Sequence, residues 1–175
     1  MSTQLIVIGG LPGTGKTSLA RGLARALDAV HLRIDTIEQA LRRATMGSDA
    51  LGAAGYVVGY GVAADNLALG RTVIADAVNP GASIRAAWRD VARRAVVAVV
   101  EVEVICSDAG EHRRRVTTRV SDIRGLKLPA WDEVRARTYE PWPGAHLVID
   151  TAHQSVEEGV TALHTFLLAR EHAVR

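Results

Sequence analysis

The stretch that most limits what this chain can become runs from Gln4 to Ala20. A run of four apolar residues, Leu5 to Ile8, enters a glycine-rich turn that spells Gly10-x-x-x-x-Gly15-Lys16-Thr17 and opens into a helical pattern. Strand, loop, helix is the setting that a phosphate-binding loop requires. Backbone amides must converge on a polyphosphate, so Gly10, Gly13 and Gly15 supply torsions and close approach that a Cβ would block. The helix that follows adds its positive end. Residues Gly10, Leu11, Pro12, Gly13, Thr14, Gly15, Lys16, Thr17 and Ser18 are therefore the expected nucleotide cradle. Lys16 is placed to reach the β- and γ-phosphates, and the Thr17 hydroxyl to ligate Mg²⁺.

At 175 residues the chain is expected to form one domain with a real hydrophobic core. A net charge of +2 argues for neither a nucleic-acid nor a membrane partner. The lone cysteine, Cys106, excludes an internal disulfide and suits a reducing compartment. No signal-like start and no apolar run of spanning length is visible, so the expected location is the cytoplasm.

Strand and helix patterns alternate, which predicts an α/β fold with a parallel sheet and helices on both faces. Expected strands are Leu5–Ile8, Val30–Ile34, Thr72–Ala75, Val96–Ile105 and Leu147–Ile149. The expected helices cover about 16–27, 35–45, 49–69, 79–94, 108–120, 131–139 and the closing stretch that carries Val156, Val160, Leu163 and Leu167. A loop is expected at Gly47–Ser48. Asn79 and Pro80 read as an N-cap and first helical residue. Asp108-x-x-Glu111 reads as a capping box. Glu101 and Glu103 share one face of the longest strand, and the sequence offers no reason for them in a strand covered on both sides.

Two carboxylates close apolar strands. Asp35, read at the end of the second strand, can face the phosphate loop across the crevice where parallel sheets bind ligands, and can accept a proton from an attacking hydroxyl. Asp35-x-x-Glu38 also has the form of a capping box, and one residue can do both. Asp76, closing Val-Ile-Ala-Asp, has the form of a Mg²⁺-holding acid, with a loop or capping role as the plain alternative. The segment from Arg113 to Arg119, followed by Arg124 and Lys127, offers cations to a transferring phosphoryl group. Arg115 and Arg119 share a helix face, while Arg113 and Arg114 suit a solvated surface. Tyr56 and Tyr60 fit either an acceptor pocket or core packing, Trp131 and Trp142 fit loop anchoring, and the six histidines show no metal-ligand spacing.

These residues resemble the P-loop kinase superfamily, in its short branch with polynucleotide kinase, zeta toxin and chloramphenicol phosphotransferase. The likeness rests on Gly-Gly-Leu-Pro-Gly-Thr-Gly-Lys-Thr, the Ile-Asp after the second strand, the Arg-x-x-x-Arg helix and Val-Ile-Asp-Thr at 148–151. From Cys106 through Tyr-Glu-Pro-Trp142 to Thr151 the chain is similar to AAA_33-type ATP-binding proteins. The resemblance implies a P-loop NTPase sheet of five strands in the order 2-3-1-4-5 and an arginine-rich lid over about 113–130. It implies ATP and Mg²⁺ as cofactors, Lys16, Asp35, Arg115 and Arg119 as catalytic residues, and Arg115 and Thr151 beside the nucleotide. Thr17 and Asp76 are the expected metal ligands. The expected activity is transfer of the γ-phosphoryl of ATP to a hydroxyl of a small molecule, by a monomer or homodimer. A nucleic-acid 5′-hydroxyl kinase and an ATPase switch without a small-molecule acceptor are the alternatives. Residues 46–70 match no known acceptor site, so the acceptor is left open.

Overall fold

The computed structural model describes residues 2–44, 53–144 and 146–173. Five strands, β1 (Gln4–Gly9), β2 (Val30–Arg33), β3 (Val73–Asp76), β4 (Ala98–Ile105) and β5 (Leu147–Asp150), form one parallel sheet in the order β2-β3-β1-β4-β5. The helices between them are α1 (Lys16–Leu27), α2 (Ile34–Ala44), α3 (Ala54–Ala68), α4 (Ala82–Arg94), α5 (Ala109–Thr118), α6 (Trp131–Arg135) and α7 (Val156–Ala173). Fold class and strand order are those expected. Among the described residues no helix is long and apolar enough to cross a membrane.

β1 is central and buried throughout, and strand alternation sends its side chains into two separate cores. Ile6 and Ile8 join Leu19 and Leu23 of α1, Val102 and Val104 of β4, and Leu163 and Leu167 of α7. Leu5 and Val7 join Leu32, Ala63, Leu67, Ala75 and Trp88 on the other face. A parallel strand covered by helices on both sides has to be apolar throughout, and the run Leu5–Ile8 meets that demand.

The glycine-rich stretch before residue 70 is a helix from Ala54 onward; its expected start at 49 and the loop at Gly47–Ser48 lie outside the described residues. Its glycines are packing surfaces. A Cβ on Gly55 would fall onto the Glu38 side chain of α2, and one on Gly59 onto Ile34, so α3 lies closer to α2 than any larger residue permits.

Asn79 corrects the sequence reading. Helix α4 starts at Ala82 with Gly81 as its N-cap, and Asn79 sits in the left-handed region at φ 50°. Its side chain is needed elsewhere. Fully buried, it donates from Nδ2 to the Ile8 carbonyl and accepts from Trp88 Nε1, each at 3.0 Å. Its own carbonyl accepts from Arg85 Nη1 at 3.0 Å, and its amide donates to the Tyr56 hydroxyl. Arg85 is also fully buried, bonded to the Pro141 carbonyl and stacked 4.9 Å from the Trp142 ring, so it bolts segment 139–142 to the turn after β3.

Other boundaries also move. α5 ends at Thr118 and α6 at Arg135, each short of the expected end, and β4 starts at Ala98 because Val96 takes a turn conformation at φ 55°. Asp108 caps α5 as expected, accepting from the amides of Gly110 and Glu111, but the Glu111 side chain turns to Arg114 and Arg115 instead of closing the box. The two strand glutamates each have a partner: Arg89 of α4 bonds Glu101 at 3.0 Å, and His146 meets Glu103 at 3.0 Å. That face of β4 is only partly covered, so both pairs keep some contact with water.

Replacing Asn79 with Ala strands the Trp88 N–H in the core and leaves the Ile8 carbonyl with the Ala77 amide alone. The expected loss is about 2–4 kcal/mol of unfolding free energy, read by urea denaturation followed through tryptophan fluorescence.

Candidate functional site

The loop from Gly10 to Thr17 crosses the carboxyl end of β1 and leads into α1. Its amides can turn inward only if its carbonyls find partners outward, and they do. Leu11 O accepts from the Thr14 amide and hydroxyl, at 3.3 and 3.0 Å. Pro12 O faces His112 Nε2 at 2.9 Å; a carbonyl only accepts, so that nitrogen carries the proton. Thr14 O lies 2.8 Å from the Thr151 hydroxyl, and the Gly10 amide donates to Val78 O at 3.2 Å. Gly13 and Gly15 hold φ of 88° and 92°, and a Cβ on Gly13 would sit 2.5 Å from Val116 Cγ2. The cradle is thus shaped before any ligand arrives.

Two cavities border Lys16 and Thr17 of this loop. One of about 430 Å³ is bounded by Pro12, Lys16 and Thr17 on one side, by Asp35 and Glu38 of α2 on another, and by Arg119 and segment 125–129 above. The second, about 340 Å³, runs along Gly13, Gly15, Lys16, Thr17 and Ser18 beneath Arg115, Arg119 and segment 120–122. Lys16, Thr17, Arg33 and Arg119 line both.

Lys16 is buried. Burial lowers its pKa below the ordinary lysine value, while the nearby charges of Asp76 and Asp35 act in the opposite direction. Asp76, at the end of β3, is 1% exposed. Burial works to raise its carboxyl, but the bond from His31 Nε2 at 3.1 Å, the charge of Lys16 and the neighbouring Thr17 hold it below the ordinary carboxylate value. One of its oxygens, Oδ1, is buried with no hydrogen-bond partner. An orphaned carboxylate oxygen beside the Thr17 hydroxyl is a hard-oxygen pair of the kind Mg²⁺ accepts when phosphates complete its shell. Among the described residues no group of three or more His, Cys, Asp or Glu side chains is arranged to hold a metal unaided. The residues fit a metal that arrives with a nucleotide.

Asp35 is not at a strand end. β2 stops at Arg33, so Asp35 lies in the first turn of α2, from which it lines the larger cavity opposite Lys16. The Asp35–Glu38 capping box is not formed: Glu38 pairs with Arg42 at 3.4 Å, and burial, then the Asp35 charge, raise its pKa. The two arginines of the Arg-x-x-x-Arg pattern part company. Arg115 gives Nε to Glu111 and its two terminal nitrogens to Thr151, at 2.7, 2.7 and 2.9 Å, so it braces the loop behind Gly15. Arg119, just past α5, lines both cavities, and its buried Nε has no partner. Thr151 supports Thr14 and Arg115 and is itself buried. Arg124 offers its carbonyl to Arg43.

The remaining aromatic residues and Cys106 have packing roles. Tyr56 and Tyr60 line neither cavity: the first meets the Asn79 amide, and the second bonds the Ile84 carbonyl and packs edge-on against Trp88, 4.5 Å away. Trp131 packs against His112, and Trp142 donates to the Tyr139 hydroxyl, so both anchor loops. Cys106 is a small buried group whose thiol burial pushes up.

No local motif marks Arg33 or Asp122 as part of the site. Arg33 Nη1 bonds both carboxylate oxygens of Asp122, at 2.9 and 3.0 Å, and Arg21 of α1 bonds the same group. Segment 119–130 is thereby fastened over the phosphate loop. Only the partner pairing reveals it, since Asp122 lies 89 residues from Arg33.

Residues 5–141, well over half of the chain, match the family profile described as AAA_33: AAA domain. The chain belongs to the AAA_33 family. No curated protein matches it significantly in sequence. Among solved structures this AAA_33 domain is similar to the APS kinase CysC of Mycobacterium tuberculosis in complex with AMPPNP and APS, with a TM-score of 0.72, 23% identity and coverage of 95% of this chain and 98% of that one. It is similar to a gluconokinase of Sinorhizobium meliloti 1021, with a TM-score of 0.63, 17% identity and coverage of 95% and 97%. It is also similar to Chaetomium thermophilum Kti12 in complex with ADP-AlF3, with a TM-score of 0.68, 21% identity and coverage of 92% and 97%. The fold of this AAA_33 domain is that of the P-loop kinases.

Hydrogen bonds from Arg21 and then Arg33 hold the Asp122 carboxyl down to about 2. A depressed carboxylate pKa means that the clamp is complete above the ordinary carboxylate range and is lost only as pH falls through about 2. Asp122→Asn should therefore release the segment at neutral pH. Hydrogen exchange of amides 121–128 should quicken at least about tenfold, with the amides of β1 unchanged.

Proposed function

We propose that the protein is an ATP-dependent phosphotransferase that moves the γ-phosphoryl group of ATP to a hydroxyl of a small molecule. The observation that carries this reading is Asp35, a carboxylate that shares one cavity with Lys16, Thr17 and Arg119 and has about 430 Å³ of space before it. A nucleotide switch needs the phosphate loop but has no use for a second chamber with a carboxylate facing it. The likeness in fold to an APS kinase and a gluconokinase agrees with this choice.

In this reading the triphosphate lies on the free amides of the loop at Gly13 and Gly15 and of the first turn of α1, with Lys16 against its β- and γ-oxygens. Thr17 and Asp76 would hold Mg²⁺, which neutralises charge on the phosphate oxygens when bound. Asp35 accepts the proton of the acceptor hydroxyl as that oxygen bonds to the γ-phosphorus and the bond to the β-bridging oxygen breaks, releasing ADP. Arg119, whose guanidinium borders both cavities, faces the charge that moves between them. Arg115 serves the nucleotide side by fixing Thr151 and, through it, the Thr14 carbonyl. Segment 119–130 acts as a lid that excludes water once both substrates are in place, with Asp122 as its catch.

Two variants test the reading with a screen of sugars, nucleosides, aminocyclitols and hydroxy acids in which product masses are read directly. Asp35→Asn should cut transfer at least about a hundredfold and leave the calorimetric affinity for MgATP within about twofold. Lys16→Ala should remove the rise in melting temperature that MgATP gives the parent protein. Steady ATP hydrolysis that needs no acceptor and survives Asp35→Asn would point instead to an ATPase switch.

A further inference from the structure

The larger cavity carries more positive charge than the whole chain does. Its walls present Lys16, Arg33, Arg42, Arg119, Lys127 and Arg137 against two acids, Asp35 and Glu38, whereas the net charge of the entire protein is +2. Most of these cations already have a task. Lys16 belongs to the phosphate loop, Arg119 stands between the two cavities, Arg33 holds Asp122, and Arg42 holds Glu38.

Arg137 and Lys127 have none. Both line the larger cavity, neither borders the smaller one beside Gly13, Gly15 and Ser18, and neither makes an ion pair with any described residue. They come from separate stretches of chain, one between α5 and α6 and the other just after α6. The charge of Arg137 is felt by Glu38 of α2 and by Arg119, so it stands within electrostatic reach of the helix that carries Asp35. Arg137 and Lys127 are both exposed, and two cations on one chamber with no ion-pair partner of their own leave their charge free to meet an anion that enters it. The nucleotide does not supply it, because its phosphates are met by the loop amides, Lys16 and Arg119.

We propose that the acceptor is itself an oxyanion: a small hydroxylated compound bearing a phosphate, sulfate or carboxylate group, with its hydroxyl at Asp35 and its anionic group held between Arg137 and Lys127. This rests on the kinase reading and narrows it. A neutral sugar or nucleoside would leave both cations unanswered, and a compound with an anionic group at one end is oriented by it, so that a single hydroxyl reaches Asp35.

The experiment uses the full chain saturated with AMPPNP and Mg²⁺, so that the phosphate loop is filled. It is then titrated at constant ionic strength with inorganic sulfate or with acetate, against chloride, and followed by melting temperature and calorimetry. One saturable second anion is expected, and Arg137→Gln with Lys127→Gln should weaken it about tenfold or more, with AMPPNP affinity held within about twofold. Preference for sulfate assigns a tetrahedral phosphate or sulfate group, and preference for acetate a carboxylate. In transfer assays, ribose 5-phosphate and gluconate are compared with ribose and glucose, and kcat/KM should favour the charged members. Absence of a saturable second anion, one whose affinity the double variant leaves unchanged, or a neutral sugar phosphorylated as well as its charged counterpart overturns the proposal and leaves the kinase reading standing. Failure of AMPPNP itself to bind removes both.

Discussion

The structure depends on one backbone constraint: a loop whose amides face inward must satisfy its carbonyls on the outside. Each satisfied carbonyl comes with a tether. The Pro12 carbonyl is tied to His112 of α5 and the Thr14 carbonyl to Thr151 beyond β5, while the Gly10 amide donates outward to Val78 beyond β3. These tethers draw the carboxyl ends of three strands toward one point, and the crevice at that end of the sheet follows from them. Both faces of β1 are buried, so the loop has a rigid stem and its curvature costs little further ordering when a ligand binds.

Features written in local spacing were legible in the sequence, and features made by long-range pairing were not. The strand–loop–helix at the start, the alternation of elements and the cap at Asp108 were all visible in short windows. Asn79 shows where this fails. Asn-Pro followed by a helical pattern reads as a cap, yet the amide is claimed by Ile8 and Trp88, which the fold brings together from 71 and 9 residues away. In the expected helix over 49–69 the isolated cost of the glycines is visible in the sequence, while their benefit, close contact with Glu38 and Ile34, is not.

The arginines make the same point about charge. Their spacing on α5 indicated a shared face, but what each guanidinium does is set by its partner. Thr151 occupies Arg115 and turns it into a brace, while Arg119 keeps a buried nitrogen unpaired at the junction of the cavities. Arg33 looks from the sequence like an ordinary strand-end residue. Only its bond to Asp122 makes it the anchor of the segment above the loop, and that bond spans half of the chain. Asp35 was placed one element early but on the correct side of the crevice, because the first turn of α2 begins where β2 ends.

Lys16 shows how the site keeps charges in a buried place without collapsing onto itself. Burial favours its neutral form, and the fields of Asp76 and Asp35 oppose that tendency from two sides. Neither carboxylate can pair with it fully and still serve its own position: Asp76 is held from behind by His31, and Asp35 is carried by a different element across the cavity. A polyphosphate that entered would bring negative charge to Lys16 and raise its pKa, so the lysine would no longer rely on the two acids. One buried ammonium set between two carboxylates thus makes this the point of the crevice most responsive to entering negative charge.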